Sequence, residues 1–196
     1  MQSRYLSALA VALLTAACGS GASTGGGSTG GGSNAGPIIH VLGPSMDPTL
    51  KDGRFVPTTT LAAGEALARG DIVVYVSPSA PDQLKVSRVL AVPGDSLLIV
   101  PAGQPGPDGQ SRPKTTLFVG PPGQLLAVSE PYLNPEDWTY GASCCNATGE
   151  ASASDPQPFT LPAGTYFLMG DNRNHAQDSR IFGPVPRSSL KYRISL

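Results

Sequence analysis

Short runs of apolar, often β-branched residues recur along the chain from residue 38 onward, separated by turns rich in glycine and proline. This pattern predicts β-strands rather than long helices. The predicted strands lie at 38–42, 54–58, 72–76, 83–92, 96–100, 115–119, 124–128, 165–169 and 192–196. The turn at 93–95 predicts that 83–92 and 96–100 pair as a hairpin. The best helical stretch is 61–69, and 101–114 is predicted to be a surface loop.

The chain has 24 glycines and 20 prolines, and their placement divides it into parts. Nine of the glycines lie between Gly19 and Gly36, whereas all the prolines lie at or after Pro37. We therefore predict one folded domain over 37–196, which is long enough to bury a core. Proline at this density argues against long helices. The predicted fold class is all-β, with long loops and little helix.

The N-terminus is typical of an export signal. Arg4 precedes an apolar stretch over 6–14 that is too short to span a bilayer. The run that ends at Cys18 resembles the lipobox at which bacterial lipoproteins are cleaved and acylated, although Thr15 stands where an aliphatic residue is usual. We predict that 1–18 is a lipoprotein-type signal peptide ending at Cys18, where lipid would be attached. The alternative is a plain secretory signal cleaved near Ala17.

Residues 19–36 form a linker of Gly, Ser and Thr with a few other small residues. Such a linker behaves as a flexible coil with a mean reach of roughly 20–25 Å. It would hold the domain close to a membrane without fixing its orientation. The prediction is a membrane-anchored protein on the periplasmic or extracytoplasmic side.

Charge and cysteine content exclude some partners. Without Arg4, the 13 basic residues become 12 against 14 acidic ones, so the chain from Cys18 onward has a net charge of −2 and nothing suggests nucleic acid. Cys144 and Cys145 are adjacent, and a vicinal disulfide, an intermolecular bridge and two free thiols all remain open. We expect neither a metal site nor a cofactor, because the histidines and cysteines show no ligand spacing.

One turn has the features of a nucleophile site. The apolar run 38–42 enters it, and Gly43 and Pro44 force a turn directly before Ser45. Pro48 then ends any regular structure. A serine hydroxyl at the end of a strand, with unpaired backbone amides around it, is what a nucleophile with an oxyanion hole requires. The alternative is an ordinary turn with an exposed serine.

Four segments extend this observation to a family. The segment 45–50, Ser-Met-Asp-Pro-Thr-Leu, resembles the nucleophile box of bacterial type I signal peptidases. Segments 70–74, 88–95 and 170–180 resemble the strand box, the box that carries the catalytic lysine, and the last box of that family. The resemblance implies an all-β domain of antiparallel sheets and a Ser–Lys serine endopeptidase that needs no cofactor. It also implies exported preproteins with small residues at the cleavage site as substrates, bound in extended form beside a strand.

The sequence departs from the family pattern at the base. Ser87 stands where the family has its lysine, and Ala176 stands where a serine is frequent near the dyad. Lys85 is the best replacement, because alternation places it on the same strand face as Ser87 at a distance of roughly 6.5–7 Å. The alternatives are that Lys85 is an exposed strand lysine, or that His175 of the last box acts as the base.

The resemblance also implies residues that support the site. Asp178 and Arg180 match an ion pair of the family and are assigned to holding the loop, while Asp171 and Asn172 are predicted to cap a turn. The full supporting set is Gly43, Met46, Ser87, Arg88, Asp178 and Arg180. We expect a signal peptidase-type serine endopeptidase with Ser45 as nucleophile and Lys85 as base. The alternative is a pseudopeptidase, a membrane-tethered peptide-binding domain without proteolytic activity.

Overall fold

A computed structural model describes residues 34–134 and 156–196, and the chain in these ranges is built almost entirely of short strands. The prediction of an all-β domain with little helix is confirmed. The only helical segments in the described ranges are α1 (Ser179–Phe182) and a 3-10 turn (Arg187–Ser189). The strands are β1 (Ile39–His40), β2 (Phe55–Val56), β3 (Thr59–Thr60), β4 (Ile72–Ser77), β5 (Ala80–Ala91), β6 (Ser96–Val100), β7 (Thr116–Gly120), β8 (Leu126–Ala127), β9 (Phe159–Thr160), β10 (Thr165–Met169), β11 (Val185–Pro186) and β12 (Leu190–Ile194).

These strands form three antiparallel sheets. The largest has the order β11-β10-β5-β4-β12-β3, the second has the order β8-β7-β6-β9, and β1 pairs with β2 alone. Strands β4 and β5 form a long hairpin in which Ile72 pairs with Arg88 and Tyr75 pairs with Lys85. Along β5, strand β10 pairs with the C-terminal half only, from Arg88 to Ala91. The N-terminal half of β5 therefore has a free edge within the described part of the fold.

The predicted hairpin between 83–92 and 96–100 is wrong, although both segments are strands. Strand β6 pairs with β7 and β9 in the second sheet and not with β5. The turn between them is held by Asp95, whose carboxylate accepts the Val92 N–H and binds the Arg69 guanidinium. The Asp95 carbonyl accepts the Leu161 N–H. These contacts direct the chain from one sheet into the other.

The predicted helix at 61–69 is also wrong. This segment is an irregular connection between β3 and β4, and it buries only Leu61 and Leu67 as apolar anchors. Its carbonyl groups at Ala62 and Glu65 accept hydrogen bonds from the Arg187 guanidinium. A helix of nine residues is only marginally stable on its own propensity. The hydrogen bonds from Arg187 satisfy two backbone carbonyl groups of this segment without a helix.

Two of the buried clusters explain how the sheets are joined. In the first, side chains of β5 and β10 pack against the inner face of the second sheet, and its members include Leu90, Leu97, Ile99, Leu117, Phe167 and Met169. In the other, the turn that carries Ser45 is anchored before the serine by Val41 and after it by Met46 and Leu50, all buried in one cluster with Val74 and Val86 of the β4–β5 hairpin. The Ser45 turn is therefore fixed on both sides of its serine by the core.

Several sequence predictions lie outside the described residues. These are the signal peptide with Cys18, most of the linker (19–33), and the pair Cys144 and Cys145. Among residues 34–134 and 156–196, no helix is long and apolar enough to cross a membrane. The same residues contain no group of three or more potential metal ligands.

The packing between the sheets predicts a large effect of one truncation. Phe167 is fully buried in the cluster that joins β10 to the second sheet. We expect Phe167→Ala to lower the free energy of unfolding by about 3–5 kcal/mol, because loss of the ring leaves a cavity between the sheets that the surrounding side chains fill only in part. Leu126→Ala is the control, since Leu126 is 74% exposed and its truncation should change stability little. Urea unfolding of both variants gives the comparison, and equal losses would contradict this account of the core.

Candidate active site

The turn that carries Ser45 is held by its own backbone and by the last segment of the domain. The Asp47 N–H donates to the Pro44 carbonyl at 3.0 Å, and the Leu50 N–H donates to the Met46 carbonyl at 2.9 Å. The Ser45 carbonyl accepts the Asn172 N–H at 3.0 Å. The main chain of the serine is thereby fixed, and its half-exposed side chain faces a groove.

Backbone donors near Ser45 differ in their availability. The Gly43 residue has a positive φ of 84°, which favours glycine, and its N–H donates to the Asp52 carboxylate at 2.7 Å. Within the described residues, neither the N–H nor the hydroxyl of Ser45 has a hydrogen-bond partner. Gly43 therefore shapes the turn, whereas the Ser45 N–H keeps its capacity to donate a hydrogen bond.

The groove is open to solvent and encloses a volume of about 90 Å³. One wall comes from the N-terminal half of β5, and the other comes from the nucleophile turn and the segment after β10. It is lined by Val41, Leu42, Ser45, Gln83, Leu84, Lys85, Val86, Ser87, His175, Ala176 and Gln177. The sequence-predicted nucleophile and both candidate bases thus line one groove.

Lys85 is half-buried on this wall, and its amine contacts the last segment. The ammonium donates to the Gln177 carbonyl at 3.3 Å and lies 5.7 Å from the centre of the Phe182 ring. Burial lowers the pKa of the Lys85 amine below its ordinary value, and the nearby Asp178 carboxylate opposes part of that shift. In the described structure the amine makes no hydrogen bond to Ser45. Lys85 is thus half-buried, and its amine bonds the last segment and not Ser45.

Ser87 is almost completely buried on the same face of β5 as Lys85. Its hydroxyl lies 3.4 Å from the Tyr75 hydroxyl, on the neighbouring strand β4. Burial raises the pKa of Tyr75, so this phenol stays protonated and offers an O–H group. The sequence did not identify Tyr75, because its position in a β-branched run looks like that of an ordinary core residue.

His175 is oriented by its neighbour Asn172. The His175 ring nitrogen Nδ1 lies 2.8 Å from the Asn172 side-chain oxygen, and the His175 N–H donates to the Asn172 carbonyl at 3.1 Å. Asn172 therefore does close the turn as predicted, and its own N–H also holds the Ser45 carbonyl. The ring of His175 lines the groove with its other nitrogen unconstrained by this contact.

A buried ion pair joins all four of the sequence segments. The Arg88 guanidinium donates to both Asp171 carboxylate oxygens, at 2.9 and 2.6 Å, and also to the Gly70 carbonyl at 3.0 Å. The Thr49 hydroxyl donates to the same carboxylate at 2.5 Å. The prediction that Asp171 caps a turn is therefore wrong, because its carboxylate is fully buried and committed to Arg88 and Thr49.

A second buried ion pair extends this network into a segment that carries no motif. The Arg173 guanidinium pairs with Glu130, and the Tyr132 hydroxyl donates to the same carboxylate at 2.9 Å. The Tyr132 ring lies over the Arg88 guanidinium at 4.0 Å. Sequence reasoning missed Glu130 and Tyr132, since they lie in an irregular segment whose spacing gave no signal.

Asp178 and Arg180 form a third buried ion pair. The Asp178 carboxylate caps helix α1 and accepts hydrogen bonds from the Arg180 side chain at 2.8 and 2.7 Å and from the Gly170 N–H at 3.0 Å. The Arg180 guanidinium also donates to the Arg173 carbonyl at 2.8 Å. These contacts close the segment 170–180 into a rigid loop against the nucleophile turn.

The chain is similar in sequence to several known proteins. The sequence model of the family described as "Signal peptidase, peptidase S26" matches residues 35–196. Signal peptidase IB of Staphylococcus aureus is 30% identical over 162 residues, which cover 79% of this chain and 73% of that protein. Signal peptidase I of Bacillus licheniformis is 35% identical over 142 residues, covering 71% of this chain and 63% of the relative. The crystal structure of a signal peptidase I from Enterococcus faecalis aligns with a TM-score of 0.47 and 23% identity, covering 68% of this chain and all of that one.

The close contact at Gly170 generates a testable prediction. A methyl group on Gly170 would lie 2.5 Å from the Ser45 carbonyl oxygen and 2.4 Å from the Ala176 side chain. We expect Gly170→Ala to push the serine turn away from the loop and to lower both the melting temperature and any activity that depends on Ser45.

The double variant Gly170→Ala/Ala176→Gly is the matched control. It removes the side-chain clash and leaves the clash with the backbone carbonyl, so it should recover stability only in part. Full recovery would show that the approach of Ser45 to Gly170 is not the constraint. Thermal unfolding followed by circular dichroism measures both variants.

Proposed function

Because this chain belongs to the signal peptidase family, peptidase S26, we propose that it is a serine endopeptidase that cleaves exported preproteins after small residues. The observation that carries the proposal is that Ser45 and Lys85 line one groove, with the Ser45 main chain fixed on both sides. A fixed serine and a half-buried amine in one groove suit acyl transfer through a serine.

In the proposed reaction, Ser45 Oγ attacks the scissile carbonyl carbon. The oxygen of that carbonyl becomes negative and is stabilised by the Ser45 N–H, which has no other acceptor in the described structure. Lys85 is the general base, and it must be neutral to accept a proton. The lowered pKa of the Lys85 amine supports this role, since burial favours the uncharged form.

The substrate is proposed to bind as an extended strand. The edge of β5 over 83–87 has no strand partner in the described ranges, because β10 pairs with β5 only from Arg88 onward. An extended peptide can use these main-chain groups for hydrogen bonds. The side chains of Val41, Leu42, Leu84 and Val86 make the adjoining groove apolar, which suits small apolar side chains next to the scissile bond.

One observation favours a second candidate, a pseudopeptidase that binds peptides without cleaving them. The Lys85 ammonium donates to the Gln177 carbonyl and lies against the Phe182 ring, and both contacts stabilise its charged form. A lysine that stays charged cannot accept the serine proton. The groove and its free strand edge would then serve peptide binding alone.

We further propose that the protein is attached to a membrane through lipid on Cys18, on the extracytoplasmic side. The lipobox-like sequence before Cys18 supports this attachment, and the glycine-rich linker after it would let the domain reach substrates at the membrane surface.

The proposed dyad predicts equal losses from two substitutions. We expect Ser45→Ala and Lys85→Ala each to abolish cleavage of a preprotein, because members of one catalytic unit are not additive. In the wild type, activity should rise with pH along a limb centred below the ordinary pKa of lysine, since neutral Lys85 is the active form. Lys191→Ala is the control, because the Lys191 amine bonds the Ser188 carbonyl away from the groove.

Two outcomes separate the candidate functions. Cleavage that survives Lys85→Ala would remove Lys85 as the base and direct attention to His175, which lines the same groove. A wild type that cleaves no exported preprotein but becomes active on Ser87→Lys would support the pseudopeptidase. Both assays use the full chain and a peptide with small residues before the scissile bond.

The anchor predicts a change in location. We expect Cys18→Ser to move the protein from the membrane fraction to the soluble fraction after cell lysis, because one thioether-linked lipid group is lost. Mass spectrometry of the mature N-terminus should show the acyl groups in the wild type only. Ser20→Ala is the control, and it should leave the protein in the membrane fraction. Membrane association that persists in Cys18→Ser would contradict the proposal.

A further inference from the structure

Two groups of the last segment hold the amine of Lys85. The amine donates to the Gln177 carbonyl at 3.3 Å and lies 5.7 Å from the centre of the Phe182 ring, which belongs to helix α1. A carbonyl oxygen and the face of an aromatic ring both attract an ammonium group more strongly than a neutral amine. The observed position of the side chain is therefore the one that its protonated form prefers.

Catalysis by Lys85 requires a different position of its amine. Ser45 and Lys85 line the same groove, but in the described structure the amine bonds the Gln177 carbonyl and not the Ser45 hydroxyl. A lysine side chain is a flexible four-carbon stem, so rotation about its bonds can redirect the amine within the groove while β5 stays in place. The groups that hold the ammonium therefore oppose the movement that the proposed reaction needs.

The Phe182 ring is itself held in place by the core. Phe182 is half-buried and packs against the cluster that includes Leu168 and Val185. The helix that carries it is capped by the Asp178 carboxylate, which fixes the start of the helix. The ring therefore offers the Lys85 ammonium a fixed surface.

Other charged and titratable groups near the amine act on it without a direct contact. The Asp178 carboxylate attracts the Lys85 ammonium through its charge, but its oxygens accept hydrogen bonds from the Arg180 guanidinium. Tyr75 pairs with Lys85 across the β4–β5 hairpin, and its buried phenol stays protonated. His175 lines the groove but makes no printed contact with the amine in the described ranges. Within those ranges, the ring and the carbonyl are thus the groups that hold the ammonium.

We propose that Phe182 is a positioning residue for Lys85, an inference that rests on the proposed peptidase function. Together with the Gln177 carbonyl, its ring holds the protonated side chain away from Ser45. Loss of that proton to water releases the neutral amine into the groove, where it accepts the proton of the Ser45 hydroxyl. Burial lowers the pKa of the Lys85 amine, whereas the ring and the Asp178 charge favour the ammonium and oppose that shift.

Substitution of Phe182 tests this role in the full-length protein. Phe182→Leu keeps an apolar side chain and removes the ring face, so the neutral amine becomes easier to form and the rising limb of kcat/KM should move to lower pH. At neutral pH, kcat/KM should increase about threefold, as expected for the loss of one cation–π contact. Phe182→Tyr keeps the ring and should behave as the wild type does. A merely structural role would instead lower the activity of Phe182→Leu at every pH.

Phe55→Leu is the matched control for this substitution. Phe55 is an exposed phenylalanine whose ring stacks on His40 and does not line the groove. Its replacement removes an aromatic ring of the same size from a place without a lysine. The pH profile of Phe55→Leu should equal that of the wild type.

The position of Lys85 can also be followed without an activity assay. The chain has four lysines, so carbon-13 labelling of lysine gives a simple NMR spectrum in which Lys85 is assigned by its absence from Lys85→Ala. At low pH the side chain of Lys85 should show nuclear Overhauser contacts with the Phe182 ring, and these should weaken as its Cε signal titrates. In Phe182→Leu that signal should titrate at lower pH, while the other lysines titrate as before. The wild-type measurement tests the inference even if Phe182→Leu fails to fold.

The outcomes separate this inference from the proposed function. Ring contacts that persist after Lys85 loses its proton, or a Lys85 titration that is the same in Phe182→Leu and the wild type, would overturn the inference and leave the Ser–Lys mechanism in place. Full activity in Lys85→Ala would overturn both. Ring contacts that weaken on titration, with the gain of activity in Phe182→Leu and wild-type behaviour in Phe182→Tyr, support the inference.

Discussion

The ion pair between Arg88 and Asp171 is the interaction on which the arrangement of the groove depends. Arg88 lies on β5, Asp171 follows β10, and Thr49 of the nucleophile turn joins the same carboxylate. Three segments that are far apart in sequence therefore meet at one buried pair. Removing one partner would leave a buried charge unpaired, and such a loss costs about 3–5 kcal/mol. The second pair, Arg173 with Glu130, is linked to the first by Tyr132, whose hydroxyl donates to Glu130 and whose ring lies over the Arg88 guanidinium.

Much of the fold could be predicted from the sequence because local patterns determined it. Strands β4 and β10 lie close to their predicted limits. Ser45 lies in a turn, as its neighbours predicted. The alternation of polar and apolar residues on β5 predicted that Lys85 and Ser87 share one face. The hairpin register agrees, because Lys85 and Ser87 pair with Tyr75 and Val73, which also alternate along β4. These features depend on residues that are neighbours along the chain or on one strand.

The remainder depended on contacts between distant segments, which no local pattern encodes. The sequence predicted strand β6 but not its partners. Its pairing with β7 and β9 depends on the turn contacts of Asp95 and on burial between two sheets. The segment 61–69 has the composition of a helix, yet two of its carbonyl groups accept hydrogen bonds from the distant Arg187 guanidinium and not from the segment itself. Asp171 looked like a turn cap for the same reason, because its partner Arg88 is 83 residues away.

The unpaired edge of β5 has a consequence for self-association. A free strand edge offers the same hydrogen bonds to a second copy of the chain as to a substrate, so it is a template for aggregation. Along this edge the chain carries Pro81, which cannot donate, and the charged side chains of Asp82 and Lys85. Proline and inward charges are the devices by which sheet proteins discourage edge-to-edge pairing. Lys85 therefore also limits edge-to-edge pairing, so a hydrophobic replacement would favour aggregation even in a protein without catalytic activity.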